Sequence, residues 1–114
     1  MAKSRIPDPL ARRHLFEREL PAAQSLAIAE AYLEQGGTFE ALDFLRKAGA
    51  GERLEALRRQ AVEACDAFLL RAVAAQLGVE PTRQEWRSLA EAAEAAGQRA
   101  YAAEARRHAE VGED

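Results

Sequence analysis

Residues 28–48 read I-A-E-A-Y-L-E-Q-G-G-T-F-E-A-L-D-F-L-R-K-A, and this stretch decides the fold. It predicts two short helices that pack on each other around a turn at Gly36-Gly37. Glycine suits this turn because it enters the left-handed conformation at a helix end without strain, and Thr38 is predicted to cap the second helix. Alanines and large apolar residues share the inner faces, so the helix axes can approach closely. The expected structure is a helical hairpin.

Similar signals divide the rest of the chain into helices. Asp8-Pro9 predicts a first helix, because a capping side chain precedes a proline at the first helical position. Thr82 and Glu85 have the spacing of a capping box at the start of a later helix. Short connections predict that successive helices pack antiparallel, and no alternating β-branched run indicates a strand. The sequence therefore predicts an all-α fold of about seven helices, at 9–19, 21–35, 38–48, 52–64, 67–77, 82–96 and 98–110, with a frayed tail at 111–114.

The composition is typical of an ordinary globular protein, and 114 residues predict a single domain, 1–114. A net charge of −3 argues against nonspecific nucleic-acid binding, which needs a strongly basic surface. No apolar run approaches the roughly 20 residues that cross a bilayer, and the start lacks a signal-peptide segment. The single cysteine allows no intrachain disulfide. These features predict a cytoplasmic protein without membrane association, and abundant alanine and arginine suggest a bacterial source.

The later helices pair into three hairpins, at 21–48, 52–77 and 82–110. An approximate repeat of this length is typical of helical solenoids, because each pair buries its apolar face on the next. The first hairpin carries its small and large residues at Ile28, Ala29, Tyr32, Gly36, Ala41, Leu45 and Ala48, and the third at Trp86, Leu89, Ala90, Ala93, Gly97, Ala102 and Ala109. This pattern resembles the tetratricopeptide repeat (TPR). The second hairpin keeps the apolar register at Leu54, Leu57, Ala61 and Ala74, and departs from the pattern at Arg58, Cys65 and Leu70.

The resemblance implies a TPR-like α-α superhelix of three antiparallel hairpins, with helix 9–19 as an N-terminal cap. It also implies a noncatalytic protein–protein interaction or scaffold module that holds a peptide or protein segment in a concave groove. The first helix of each hairpin would line this groove, at Leu26, Glu30, Leu33, Glu34, Glu55, Arg59, Val62, Glu63, Arg87, Glu91 and Glu94. These positions are mostly acidic, so a basic partner segment is expected. Alternatively, these glutamates lie on a solvent-facing surface and only keep the helices soluble.

Two other functions are compatible with the sequence. The end helices could pair between copies in a homo-oligomerisation module, or the helical concavity could hold a small ligand or substrate. No convergent set of acid, base, nucleophile and metal ligands supports catalysis, so neither an enzyme nor a cofactor is predicted. The basic segment 1–19 could contact nucleic acid, an acidic partner or a second copy, but a capping helix is the favoured interpretation.

Isolated reactive side chains have ordinary explanations beside functional ones. His14 and Glu17 share a helical face and would supply half of a metal site, but the second histidine, His108, lies in the last helix. An amphipathic helix is the favoured interpretation of that pair. Cys65 precedes a helix start, which would favour a reactive thiol, or it fills a turn as a small residue. Trp86 occupies a core position and is predicted to be a packing residue.

Overall fold

The structure is a computed structural model that describes residues 21–111, and all regular structure in this range is helical. Six helices follow one another: α1 (Ala22–Glu34), α2 (Thr38–Lys47), α3 (Gly51–Glu63), α4 (Ala67–Leu77), α5 (Arg83–Ala95) and α6 (Arg99–Val111). The all-α prediction is confirmed. The predicted capping helix at 9–19 and residues 112–114 lie outside the described residues. α6 includes Val111, one residue beyond the expected end, which is within the usual variation of helix termini.

The chain divides into two compact units, Met1–Gly51 and Glu52–Asp114. In the first unit the described residues form α1 and α2; the second contains α3, apart from its first residue, and α4 to α6. The expectation of one continuous repeat domain stays a prediction. Over residues 21–111, no helix has the length and hydrophobicity that a membrane span requires.

The hairpin of the first unit is formed by α1 and α2, which pack directly on each other. Gly36 adopts the left-handed conformation with φ of 78°, as predicted, and the Gly37 N–H donates to the Tyr32 carbonyl oxygen at 2.8 Å. Thr38 does not cap α2, so that prediction was wrong. Gly37 holds the N-cap position and Thr38 is already helical, with no side-chain bond to the helix end. Both glycines belong to the turn, and the helix begins immediately after them.

Small and aromatic residues fill the interior of this hairpin. Ala29 and Ala41 are completely buried, which confirms the position expected for Ala41. Their small side chains allow the two helices to approach each other closely. Phe44 is also completely buried and stacks on Tyr32, with ring centroids 5.9 Å apart and planes inclined by 20°. The core of the hairpin therefore combines alanine contacts with one aromatic pair.

The ends of the helices in the second unit are defined by specific capping contacts. Asp66 precedes α4, and its carboxylate accepts a hydrogen bond from the Leu69 N–H at 3.0 Å. The predicted capping box at the start of α5 is present. The Thr82 hydroxyl accepts from the Glu85 N–H at 3.0 Å, and the Glu85 carboxylate accepts from the Thr82 N–H at 2.9 Å. Gly97 is left-handed with φ of 76° between α5 and α6, as predicted.

A buried arginine joins α3 to the segment that precedes α5. Arg58 is only 5% exposed, although its equivalents in the repeat pattern, Ala29 and Ala90, are alanines. Its Nε and Nη2 donate to the two carboxylate oxygens of Glu85 at 2.6 and 2.7 Å. Its Nη1 and Nη2 also donate to the carbonyl oxygens of Val79 and Glu80 at 2.8 and 2.9 Å. A buried guanidinium requires such partners, because an unpaired charge is strongly disfavoured in a protein interior.

The same contacts set the ionisation of Glu85. The hydrogen bonds from Arg58 hold the pKa of Glu85 below the ordinary 4.5, with further lowering by the Thr82 N–H and partial opposition from burial. Glu85 therefore stays ionised at neutral pH while it serves both Arg58 and the capping box. One carboxylate thus connects the start of α5 to α3.

Candidate binding cavity

A cavity of about 330 Å³ opens on the surface of the second unit. Its walls come from α4, α6 and the turn at 64–66, and Leu89 of α5 contributes to its floor. The lining residues are Ala64, Cys65, Asp66, Ala67, Phe68, Arg71, Leu89, Gln98, Tyr101, Glu104, Ala105 and His108. Small side chains on facing helices leave this space open, since neither Ala67 nor Ala105 is long enough to fill it. A volume of this size is at the lower end of the range for ligand pockets.

Two aromatic side chains at the edge of the cavity extend into solvent. Phe68 of α4 is 76% exposed and Tyr101 of α6 is 59% exposed. Burial of a large aromatic side chain is favourable by about 1.5–3 kcal/mol, so both exposed rings at this cavity have apolar area that a partner could cover. Exposed apolar groups that lie together beside a recess mark interaction sites.

One side of the cavity contains a stacked arrangement of charged and aromatic groups. Trp86 of α5, which is buried as predicted, stacks on His108 of α6, with ring centroids 4.4 Å apart and planes inclined by 23°. The Arg71 guanidinium carbon lies 5.6 Å from the centroid of the Trp86 ring, and Arg71 also contacts the imidazole nitrogen Nε2 of His108. Glu104 Oε1 lies 3.9 Å from the same nitrogen. Arg71 and Glu104 therefore approach His108 from α4 and α6.

His108 is held in its neutral form by this environment. Burial and then the charge of Arg71 lower the pKa of His108 below the ordinary 6.5; Glu104 opposes this effect and Arg107 adds to it. The neutral imidazole can accept a hydrogen bond from Arg71, whereas an imidazolium could not. At neutral pH the cavity therefore presents the guanidinium of Arg71 and the carboxylate of Glu104 beside an uncharged ring.

The fluorescence of Trp86 is expected to report the protonation of His108. Trp86 is the only tryptophan in the chain, and protonation of the stacked imidazole should quench it with a midpoint below pH 6.5. The unfolded chain binds a proton at His108 more readily than the folded chain does. The contribution of neutral His108 to stability is therefore fully present above the unfolded pKa and decreases as pH falls towards the folded pKa. Arg71→Gln should raise the midpoint towards 6.5. Arg106→Gln is the control, because Arg106 lies on α6 with His108 but outside the cavity, and it should leave the midpoint unchanged. Equal midpoints in the wild type and both variants would contradict this account.

Cys65 lies at the cavity in an unusual backbone conformation. It has φ of 60°, the left-handed region that glycine occupies at the equivalent turns, Gly36 and Gly97. A side chain in this conformation costs about 1–2 kcal/mol. The interpretation of Cys65 as a turn residue therefore agrees with its position, and its half-buried thiol also lines the cavity.

The residues predicted to line the concave groove are accessible but lie outside this cavity. Those on α1 are Leu26, Glu30, Leu33 and Glu34, those on α3 are Glu55, Arg59, Val62 and Glu63, and those on α5 are Arg87, Glu91 and Glu94. All eleven are half-buried or exposed. None of them lines the cavity between α4 and α6. Their grouping into one groove across the three hairpins stays a prediction.

The main residues of the cavity were not predicted from the sequence. Phe68, Arg71 and Tyr101 lie on the second helices of their hairpins, whereas the repeat resemblance directs attention to the first helices. A usable signal was present, because Phe68 and Tyr101 are large rings outside the apolar register of the repeat. Within residues 21–111, no three His, Cys, Asp or Glu side chains are grouped so that they could hold a metal ion. His14 and Glu17 lie outside the described residues.

The resemblance to the tetratricopeptide repeat rests on residue pattern and stays a prediction; the structure shows helices over residues 21–111 and left-handed conformations at Gly36 and Gly97. The cavity is defined by the geometry of α4, α6, the turn at 64–66 and Leu89 of α5. The chain matches no protein-family model, no curated protein and no solved structure.

Proposed function

We propose that this chain is a noncatalytic protein-interaction module that binds a protein or peptide segment. The observation that carries the proposal is the cavity between α4 and α6, with exposed Phe68 and Tyr101 at its edge. Aromatic residues dominate protein interfaces because they bury a large area with little loss of side-chain entropy. The proposal assigns no cofactor, no nucleic acid and no membrane to the chain, and it includes a cytoplasmic location and a bacterial source.

A TPR-like superhelix and its concave groove form a second part of the proposal. The glutamates among the groove residues would attract a basic segment, as complementary charges steer and align partners. We assign the main contact to the cavity of the second unit rather than to this groove. The reason is exposure: Leu26, Leu33 and Val62 are half-buried, whereas Phe68 and Tyr101 are exposed. An apolar side chain that is already half-buried has less area left to bury on a partner.

Selection from a random peptide display library on the whole protein tests this function. Selected peptides should bind in calorimetry, and Tyr101→Ser should weaken them about tenfold or more, which is the usual effect at an aromatic interface residue. Phe39→Ser is the matched control, because Phe39 is an aromatic residue on α2 with 52% exposure and lies in the other unit. The control should leave the affinity unchanged.

The same peptides distinguish the cavity from the predicted groove. The double variant Glu30→Lys, Glu34→Lys reverses two charges on α1 and should leave the affinity of a cavity ligand unchanged. If this variant abolishes binding and Tyr101→Ser does not, the binding surface is the groove. A library that yields no binding peptide would overturn the proposed function.

A further inference from the structure

The edges of the cavity repeat one short pattern on its two sides. On α4, Phe68 is followed three residues later by Arg71; on α6, Tyr101 is followed three residues later by Glu104. Residues three apart lie on the same face of a helix. Each helix therefore presents an aromatic ring and, one turn further on, a charge. The two charges have opposite sign.

The contacts of His108 place the two charges at the same level of the cavity. Arg71 from α4 and Glu104 from α6 both approach the imidazole Nε2 of His108. The aromatic residues lie one turn earlier on each helix, beside Asp66 and Gln98 at the helix starts. Each of the two helices thus contributes a ring followed by a charge to the cavity: a cation on α4 and an anion on α6.

Neither Arg71 nor Glu104 forms an ion pair with a permanently charged group within residues 21–111. In the described part of the chain, Arg71 contacts the neutral imidazole of His108 and the Trp86 ring, without a carboxylate at ion-pair distance. The one ion-pair contact of Glu104 in the same range is the 3.9 Å approach to His108, which counts only when the imidazole is protonated. The border therefore offers one cation and one anion to a partner.

We infer that the cavity surface is a symmetric interface at which a second copy of this chain pairs through α4 and α6. In a two-fold contact the same surface must complement itself. A two-fold axis that runs along the cavity, between the two helices, sets α4 of one copy against α6 of the other. Arg71 then faces Glu104 of the second copy, and Phe68 faces its Tyr101. Each contact occurs twice in the dimer.

The charge pattern favours a second copy over an unrelated partner. A purely acidic or purely basic segment would satisfy one side of the cavity and meet repulsion from the other. The chain itself carries both signs at this cavity, each three residues after an aromatic ring. The inference rests on the proposed function, since it assigns the partner of the surface proposed above.

Charge reversal tests this pairing, because a two-fold dimer contains the contact between Arg71 and Glu104 twice. Sedimentation of the full chain, from about 1 μM to about 100 μM, should show a concentration-dependent dimer. Arg71→Glu leaves two anions on the border and Glu104→Arg leaves two cations, so each variant alone should dimerise about 100-fold more weakly, since like charges then meet twice. An equimolar mixture of the two variants should restore the dimer. Arg106→Glu, an exposed charge of α6 outside the cavity, is the control and should dimerise normally.

One native reporter, the thiol of Cys65, follows the same surface. Cys65 is the only cysteine in the chain and lines the cavity, so its alkylation by a maleimide should slow as the wild-type concentration rises. Circular dichroism of both charge variants checks that they remain helical. The inference would be overturned if both charge variants dimerise as strongly as the wild type. It would also be overturned if the mixture stays monomeric while each variant is folded.

The dimerisation experiment and the peptide-binding experiment can fail independently of each other. A wild-type chain that stays monomeric over the whole concentration range, yet binds selected peptides through Tyr101, would refute pairing between copies and support the peptide-binding module. A dimer that responds to charge reversal as described, but binds no selected peptide, would support the self-pairing interface. It would refute the binding of a separate peptide at this cavity.

Discussion

Replacing Glu85 by alanine is expected to lower the free energy of unfolding of the α3–α6 unit by about 3–5 kcal/mol. The substitution leaves the guanidinium of Arg58 buried without its carboxylate, and it removes one half of the capping box at the start of α5. Urea unfolding followed by Trp86 fluorescence measures this effect directly, because Trp86 is adjacent to Glu85 and belongs to the same unit.

A second pair in this unit provides the matched control. Arg106 and Glu94 form an ion pair at 3.3 Å, but their side chains are 54% and 52% exposed. Glu94→Ala removes the same type of partner from an arginine that water can still solvate, so it should cost less than about 1 kcal/mol. Glu85→Gln keeps the capping box with a neutral side chain and should fall between the two. Equal effects of Glu85→Ala and Glu94→Ala would show that burial of Arg58 has no energetic consequence.

The Glu85 contact also predicts how the second unit responds to acid. Because the folded pKa of Glu85 lies below the ordinary 4.5, its stabilising contribution is present above that value and is lost as pH falls through the folded pKa. The wild-type chain should therefore lose stability in this acid range. Glu85→Ala has no such carboxylate and should show a flatter dependence on pH.

Replacing Phe44 by alanine is expected to destabilise the first unit by about 3–5 kcal/mol. Phe44 is completely buried, and its loss removes the stacked partner of Tyr32 and leaves a cavity between α1 and α2. The same substitution at Phe39, an exposed ring on the same helix, should cost far less, because little apolar area is transferred to water. Thermal unfolding followed by far-ultraviolet circular dichroism compares the two. Similar melting temperatures for both variants would contradict the assignment of Phe44 to the core.

The helix pattern was predictable because its signals are local. Gly36 and Gly97 adopt the predicted left-handed conformation, and Thr82 and Glu85 form the predicted capping box. Each depends on a few neighbouring residues whose backbone preferences are strong. The cap expected at Thr38 failed for a local reason as well, since two consecutive glycines leave a choice of which residue starts the helix.

The candidate site was not predictable in the same way. Arg58 departs from the alanine of the repeat pattern, and only the folded chain shows that Glu85 and two carbonyl oxygens surround it. Phe68 and Tyr101 lie outside the apolar register of the repeat, which marks them as unusual but does not place them at one cavity. Their position at this cavity depends on the tertiary arrangement of α4 and α6, which no local pattern specifies.

The sequence by itself determined the all-α class, the limits of six helices and the residues that turn the chain between them, because periodicity and capping act within one or two helical turns. Only the tertiary structure decided that Arg71, Glu104 and His108 meet at one cavity and that Trp86 stacks on His108. These residues are contributed by three helices, and their contacts depend on packing between elements that are distant in sequence. Burial, the lowered pKa of His108 and the opposite charges at the cavity edge all follow from that packing.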